Sequence, residues 1–223
     1  MSSSLHFSID KLISWPSHAE VDSQTSQPPL PQVPPMQRRR MSPLCKASLH
    51  AAFGLQEHGD APLVYASRYG DIARSIELLT QLSEGEGLSP TQFSLSVHNA
   101  IAALHGILTN HRGQYTAIAA GPETVEAAFC EALGMLADGA ESVRLIACDA
   151  PLPEPYAGYE ADAPSLQAWG CVVRLSDQGP RISLDIAPNE QQDQGHPWPF
   201  LRGDAASHYH QCGKHAWLWQ RHG

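Results

Sequence analysis

The sequence predicts a layered α/β domain with a mainly parallel sheet flanked by helices. Two observations carry this. Short apolar runs at 62–67, 115–120 and 143–148 read as strands, and amphipathic or apolar segments of helical length lie between them. Strands alternating with helices in this way bury both faces of one sheet. At 223 residues the chain is long enough for one such domain with a sizeable core. No internal repeat is visible, so residues 1–223 are read as a single domain.

The elements follow in order. Leu5–Ile9 alternates polar and apolar residues and suits an edge strand. Residues 16–35 read as a loop, and 28–35 hold five prolines in eight residues, which makes them an extended surface connection. Ser42-Pro43 is a helix start, an N-cap followed by proline in the first turn, and the helix should run to near Gly59. After the 62–67 strand, Asp71–Leu82 is amphipathic, with Ile72, Ile76, Leu79 and Leu82 on one face. Val97–Leu108 is apolar nearly all round and should be a helix buried on several sides. The strand Tyr115–Ala120 leads through Gly121-Pro122 into a helix ending near Leu136, and Asp138-Gly139 turns the chain into Val143–Cys148. Residues 150–168 read as a loop. Trp169–Leu175 and Arg181–Ile186 flank Asp177–Pro180 as a hairpin, and a tail rich in His and Trp fills 188–223.

A formal net charge of −9 with only 14 basic residues argues against nucleic acid or an anionic membrane surface as partner, since both need a local excess of Lys and Arg. The tight run Arg38-Arg39-Arg40 reads as a solvated helix approach or an internal ion-pair site. Five cysteines, an odd number with no CxxC pair, point to a reducing cytoplasm rather than a disulfide framework. Cys148 and Cys171 lie in apolar runs and read as buried; Cys130, mid-helix, reads as core packing rather than a nucleophile. The N-terminus lacks a basic, then apolar leader pattern, and no apolar window approaches the roughly 20 residues a membrane span needs.

Two polar clusters invite chemistry. His208, His210, Cys212 and His215 could offer nitrogen and sulfur ligands to zinc, but their spacing matches no common finger, and an exposed His-rich turn is the better reading; no metal or other cofactor is expected. Ser94, Ser96, His98 and Asn99 suggest a hydrolase at first sight. A Ser and a His two apart on a helix point about 200° from each other, so they are not a nucleophile–base pair. His98 and Asn99 within an apolar helix would need hydrogen-bond partners.

Several pieces stand in a family's order. They are Arg39-Arg40-Met41-Ser42-Pro43, the segment Ser94–Leu104, Arg112-Gly113 with the strand after it, the junction and its helix, Asp138–Ala147, Trp169-Gly170, and Arg181–Ile186. Over about residues 36–187 the chain resembles the N-terminal half of a β-ketoacyl synthase, a thiolase-like half-domain. It looks most like the truncated, ketosynthase-like chain-length factors of aryl-polyene and xanthomonadin-type pathways. That family places its reactive Cys at such a strand–helix junction, where free N–H groups and the helix dipole lower a thiolate pKa. Here the position falls on Gly121 or Pro122, neither of which can attack a thioester.

The resemblance implies an accessory subunit, not an enzyme. Its partner would be a full-length ketosynthase, in a heterodimer or higher heteromer, that brings the Cys and the family's two His residues; an acyl carrier protein would be met only indirectly. It places Ala117 and Ala119 on an edge strand facing that partner, and makes Ser96, His98, Asn99 and Tyr115 candidates for shaping its acyl tunnel. Two other readings stay open: a diverged acyltransferase or hydrolase with another nucleophile, and a small metal-binding protein built on the His-rich tail.

Overall fold

A computed structural model of the chain describes residues 5–16, 27–154, 156–159, 165–188, 192–213 and 215–223. Parts of the expected 16–35 and 150–168 loops lie outside the described residues. The chain begins with β1 (His6–Trp15) and reaches the one-turn helix α1 (Pro35–Arg38) through the proline-rich connection, whose Leu30 and Val33 side chains are buried. Then come α2 (Pro43–Gly54), β2 (Leu63–Ala66), α3 (Ile72–Ser83), α4 (Pro90–Ser94), α5 (Ala100–Thr109) and β3 (Tyr115–Ile118). The remainder is α6 (Thr124–Ala137), β4 (Val143–Asp149), β5 (Gln167–Leu175), β6 (Arg181–Ala187), α7 (Trp198–Arg202), β7 (Ser207–Cys212) and β8 (His215–His222). The expected N-cap is made: the Ser42 hydroxyl accepts from the Cys45 N–H at 3.1 Å.

All eight strands join one sheet in the order β3-β2-β4-β5-β1-β6-β8-β7. Buried side chains alternate across it with the two-residue strand period. Val64, Leu145 and Val173 join Phe129 and Leu133 of α6 and Phe200 of α7 on one face; Tyr65, Ile146 and Val172 join Leu49 of α2 and Ile101 of α5 on the other. This is the expected α/β layering.

The strand directions need a correction. Among the described residues only β3-β2 and β2-β4 pair in parallel; the five other pairings are antiparallel. The β-α-β alternation that places parallel strands side by side stops at β4, and after it each strand's hydrogen-bonded neighbours run antiparallel. The expected hairpin is also not a paired one. β1 lies between β5 and β6, with Phe7 opposite both Leu175 and Ile182. The expected short edge strand is thus a ten-residue internal strand, bulged between Asp10 and Ile13. The tail supplies β7 and β8, which extend the same sheet.

Two helices also differ from expectation. Val97–Leu108 is not one buried helix: α5 begins at Ala100, Val97 is exposed, and Ile107 is 76% exposed. In α3 the buried residue is Leu78, while Leu79 and Leu82 of the predicted apolar face are exposed. That face lines an open groove of about 450 Å³, with Ile72, Ile76 and Leu79 facing Tyr69, Leu152 and Tyr159.

Candidate functional site

The parallel strands β3, β2 and β4 end together, and their carboxyl ends form the place where open α/β sheets hold ligands. The chain leaves β3 through Ala119 and Ala120 into a single 3-10 turn, Gly121–Glu123, and then α6. Gly121 has φ +60°, a left-handed conformation that costs other residues about 1–2 kcal/mol, and a Cβ built there would meet nothing within 4 Å. Thr124 locks the turn: its hydroxyl accepts from the Ala120 N–H at 3.0 Å and donates to the Gly121 carbonyl at 2.7 Å. Pro122 is exposed. A sharp strand-to-helix turn is therefore present with no nucleophilic side chain on it.

Beside it, the loop after β2 is tied to the end of β4. Asp149 Oδ1 accepts from the Arg68 N–H at 2.8 Å and the Ser67 hydroxyl at 3.2 Å, and Ser67 Oγ accepts from the Gly70 N–H at 2.9 Å. His98 Nε2 donates to the Ser67 carbonyl at 2.8 Å, and its ring meets Tyr65 edge-on at 6.0 Å. Ser96, His98 and Asn99 lie in the turn between α4 and α5, not within a helix, and Asn99 is the residue before α5. Tyr115 stands at the opposite end of α5, at the start of β3. The four tunnel candidates thus divide: three sit by the junction end of the sheet and Tyr115 sits away from it. Ala117 packs against the α2–α5 core, Ala119 is exposed, and β3 is an edge strand.

The expected exposed turn of His208, His210, Cys212 and His215 is corrected. It is the β7–β8 hairpin, with His208, His210 and Cys212 buried. Its histidines turn to separate partners: His208 Nε2 to the Gly195 carbonyl at 2.8 Å, His210 Nδ1 to Glu126 Oε1 at 2.8 Å, and His215 Nε2 to Glu123 Oε2 at 2.7 Å. Among the described residues no group of three or more His, Cys, Asp or Glu side chains is placed to hold a metal. Trp217 and Trp219 donate their indole N–H groups to the same two carboxylates, at 2.9 and 3.2 Å. Glu123 and Glu126 stand at the start of α6, where the dipole favours negative charge. Trp217 holds the Glu123 carboxyl below its usual range, burial opposes this, and His215 adds to it. Burial works against protonated His210, but its contacts with Cys212 and Glu126 win and raise its pKa.

The composition of this cluster resembles a Cys–His–Glu triad, but its geometry does not. Cys212 Sγ lies 3.6 Å from both His210 nitrogens rather than in line with one, and Glu126 already occupies Nδ1. No other thiol is activated. Burial pushes Cys45 and Cys148 up to about 12 and raises Cys171 further. Cys130 is exposed on α6 rather than packed in the core; its pKa is raised by local desolvation and by Glu126 and Glu123. A reactive cysteine needs the reverse shift.

No local sequence pattern marks Glu123 and Glu126 as site residues. The signal for their partners was the alternation in Ser207–Cys212 and His215–His222 around Gly213, which is a hairpin pattern.

These features define a thiolase-like half-domain whose strand–helix turn carries no nucleophile. The chain belongs to the family of the beta-ketoacyl synthase N-terminal domain, whose model matches residues 13–220. Its fold is similar to that of a chain in the complex of the ketosynthase ApeO with its chain length factor ApeC from Xenorhabdus doucetiae. The TM-score is 0.81 at 21% identity, over 97% of this chain and 100% of that one. It is also similar to a beta-ketoacyl synthase from Burkholderia phymatum STM815, with TM-score 0.57, 12% identity, and coverage of 76% of this chain and 52% of that one. A third similar fold is the ishigamide ketosynthase/chain length factor, with TM-score 0.52, 16% identity, and coverage of 69% and 50%. The chain thus spans about half the length of the latter two. No curated protein sequence matches it. No helix among the described residues is long and apolar enough to cross a membrane.

Proposed function

We propose that this chain is a non-catalytic, chain-length-factor-like subunit that pairs with a full-length ketosynthase in aryl-polyene or fatty-acid-like polyketide biosynthesis in the cytoplasm. The observation that carries this is the turn at Gly121: the strand, the turn and the helix are present, and the nucleophile is not. The partner supplies the Cys and the histidines, and acyl carrier protein engages the pair through it. Both the complex from Xenorhabdus doucetiae and the ishigamide protein couple a ketosynthase with a chain length factor in their names, which supports the reading.

The surface supports it as well. Phe93, Val97, Ile107 and Tyr115 are exposed on or beside α4, α5 and the free edge of β3. Exposed apolar side chains beside unpaired strand backbone mark an interface. Co-expression with a candidate ketosynthase tests the proposal. A stable complex that condenses acyl thioesters is expected, with all acylation on the partner's Cys. Condensation by this chain alone would overturn it.

A further inference from the structure

The sheet ends in two edge strands, β3 and β7, and their outer sides differ. Among the described residues β3 pairs with β2 alone. The outer side of β7 is covered by Asp193-Gln194-Gly195, the segment ahead of α7. The Gln194 N–H donates to the Tyr209 carbonyl at 2.9 Å, and the Tyr209 N–H donates to Gln194 Oε1 at 2.7 Å. Two positions along β7, the Gln211 N–H donates to Asp193 Oδ1 at 2.9 Å.

Gln194 stands in for a neighbouring strand. In an antiparallel ladder, the two residues of a hydrogen-bonded pair exchange both N–H···O bonds. Gln194 offers Tyr209 the same exchange from one residue, with its backbone as donor and its side chain as acceptor. The chain can therefore cross the edge without running along it. Asp193 fixes the crossing: its Oδ1 also accepts from the Gly195 N–H at 3.0 Å. Gly195 turns with φ +73°, and its carbonyl accepts from His208 Nε2 at 2.8 Å. Asp193 and Gln194 are exposed, so hydrogen bonds rather than apolar burial tie the segment down.

An uncovered edge strand is a template for pairing with another chain. β7 has the form to pair with itself. Its residues face β8 and the edge in alternation, and the bonds of Tyr209 and Gln211 put these two, with Ser207, on the outward side. A two-fold axis through Tyr209 sets Tyr209 against Tyr209 of a second copy, and Ser207 against its Gln211. We propose that Asp193-Gln194-Gly195 is an edge guard, holding the place on β7 that β7 of a second copy of this chain would otherwise take. Such a contact is isologous, so a second copy supplies the matching row of groups. The consequence is a finite assembly. A chain with both edges open would pair on both sides and extend; a guarded chain stops at whatever pairs with β3. The inference is independent of the subunit reading above.

The test is sedimentation velocity of the full chain over a concentration series. Asp193→Ala with Gln194→Ala removes the acceptors of the Tyr209 and Gln211 N–H groups and no buried side chain. The β3 edge is common to wild type and variant, so a difference between them belongs to β7. The double variant should self-associate at concentrations about tenfold or more below wild type, the scale of one or two hydrogen bonds released from the guard. Adding Ser207→Lys and Gln211→Lys sets like charges opposite each other across the two-fold axis and should restore wild-type sedimentation. Gln194→Pro deletes the backbone donor together with the side-chain acceptor, and gives the reading should the double variant not fold. Sedimentation identical to wild type overturns the guard. So does self-association that the two lysines leave unchanged, since the contact would then lie away from β7.

Discussion

His210 Nδ1 lies 2.8 Å from Glu126 Oε1, across 84 positions of sequence. Trp219 Nε1 reaches the same oxygen at 3.2 Å. With His215 and Trp217 on Glu123, four side chains of the last hairpin are bound to two carboxylates at the start of α6. The helix start that serves a thiolate in the resembled synthases is here engaged by a structural polar network. Glu126 is fully buried, and its Oε2 has no partner, so the network depends on His210 carrying charge.

That dependence predicts a pH effect. The His210 pKa is raised in the folded state above the ordinary 6.5. The stability it contributes is full below pH 6.5 and is lost as pH rises through the raised value. Chemical unfolding of wild type and His210→Gln at several pH values checks this. The difference between them should shrink steadily above neutrality; a constant difference would show that His210 is neutral in the fold.

The acid side has the opposite sign. Burial lowers His105 to about 4, with Arg144 and His111 adding to it. Its contribution is present above pH 6.5 and is lost as pH falls through 4, on the order of 3 kcal/mol for a shift of this size. His105→Leu should flatten the acid limb of the stability curve.

The junction should be inert. Incubated with an activated acyl thioester, the isolated chain should keep its unmodified intact mass. A stoichiometric adduct on any residue would falsify the non-catalytic reading. Gly121→Ala should cost about 1–2 kcal/mol by denaturant melt from backbone strain alone, since its Cβ meets nothing.

The β3 edge gives a cleaner mutational test at Ala119 than at Ala117, because Ala119 is exposed and Ala117 packs on the core. Ala119→Lys should leave the melting temperature of the isolated chain unchanged. It should weaken the complex by roughly 3 kcal/mol, more than a hundredfold in Kd, if its charge is buried there. Full co-purification would place the partner elsewhere.

Product length separates the tunnel candidates. His98 and Asn99 stand at the junction end of the sheet, and Tyr115 at the far end. With the partner held constant, His98→Ala or Asn99→Ala should shift the polyene lengths, and Tyr115→Ala should alter affinity but not length. Identical distributions across all variants, including Ser96→Ala, would leave this chain a scaffold.

What the chain states locally was readable. β2, β3 and β4, the Ser42 cap, the Gly121 turn and α6 all arise from apolar runs, capping residues and glycine chemistry that act over a few positions. That Gly121 and Pro122 carry no nucleophilic side chain was readable for the same reason, since it is a matter of residue identity. Other features needed the assembled fold. Nothing local tells Phe7 that it will lie between β5 and β6, or that the apolar stripe of α3 will face open solvent. Strand pairing and burial depend on which surfaces remain free elsewhere in the chain. The same holds for the polar sites: nothing local shows that Arg144 will donate to the Ala61 carbonyl and to His111, which it does only when β4, α5 and the Ala61 turn come together. Sequence by itself determined the strands β2, β3 and β4, the helix α6 and the identity of the residues at the Gly121 turn. Tertiary structure decided strand order and the partnering of buried charges, because both arise from contacts between residues far apart in the chain.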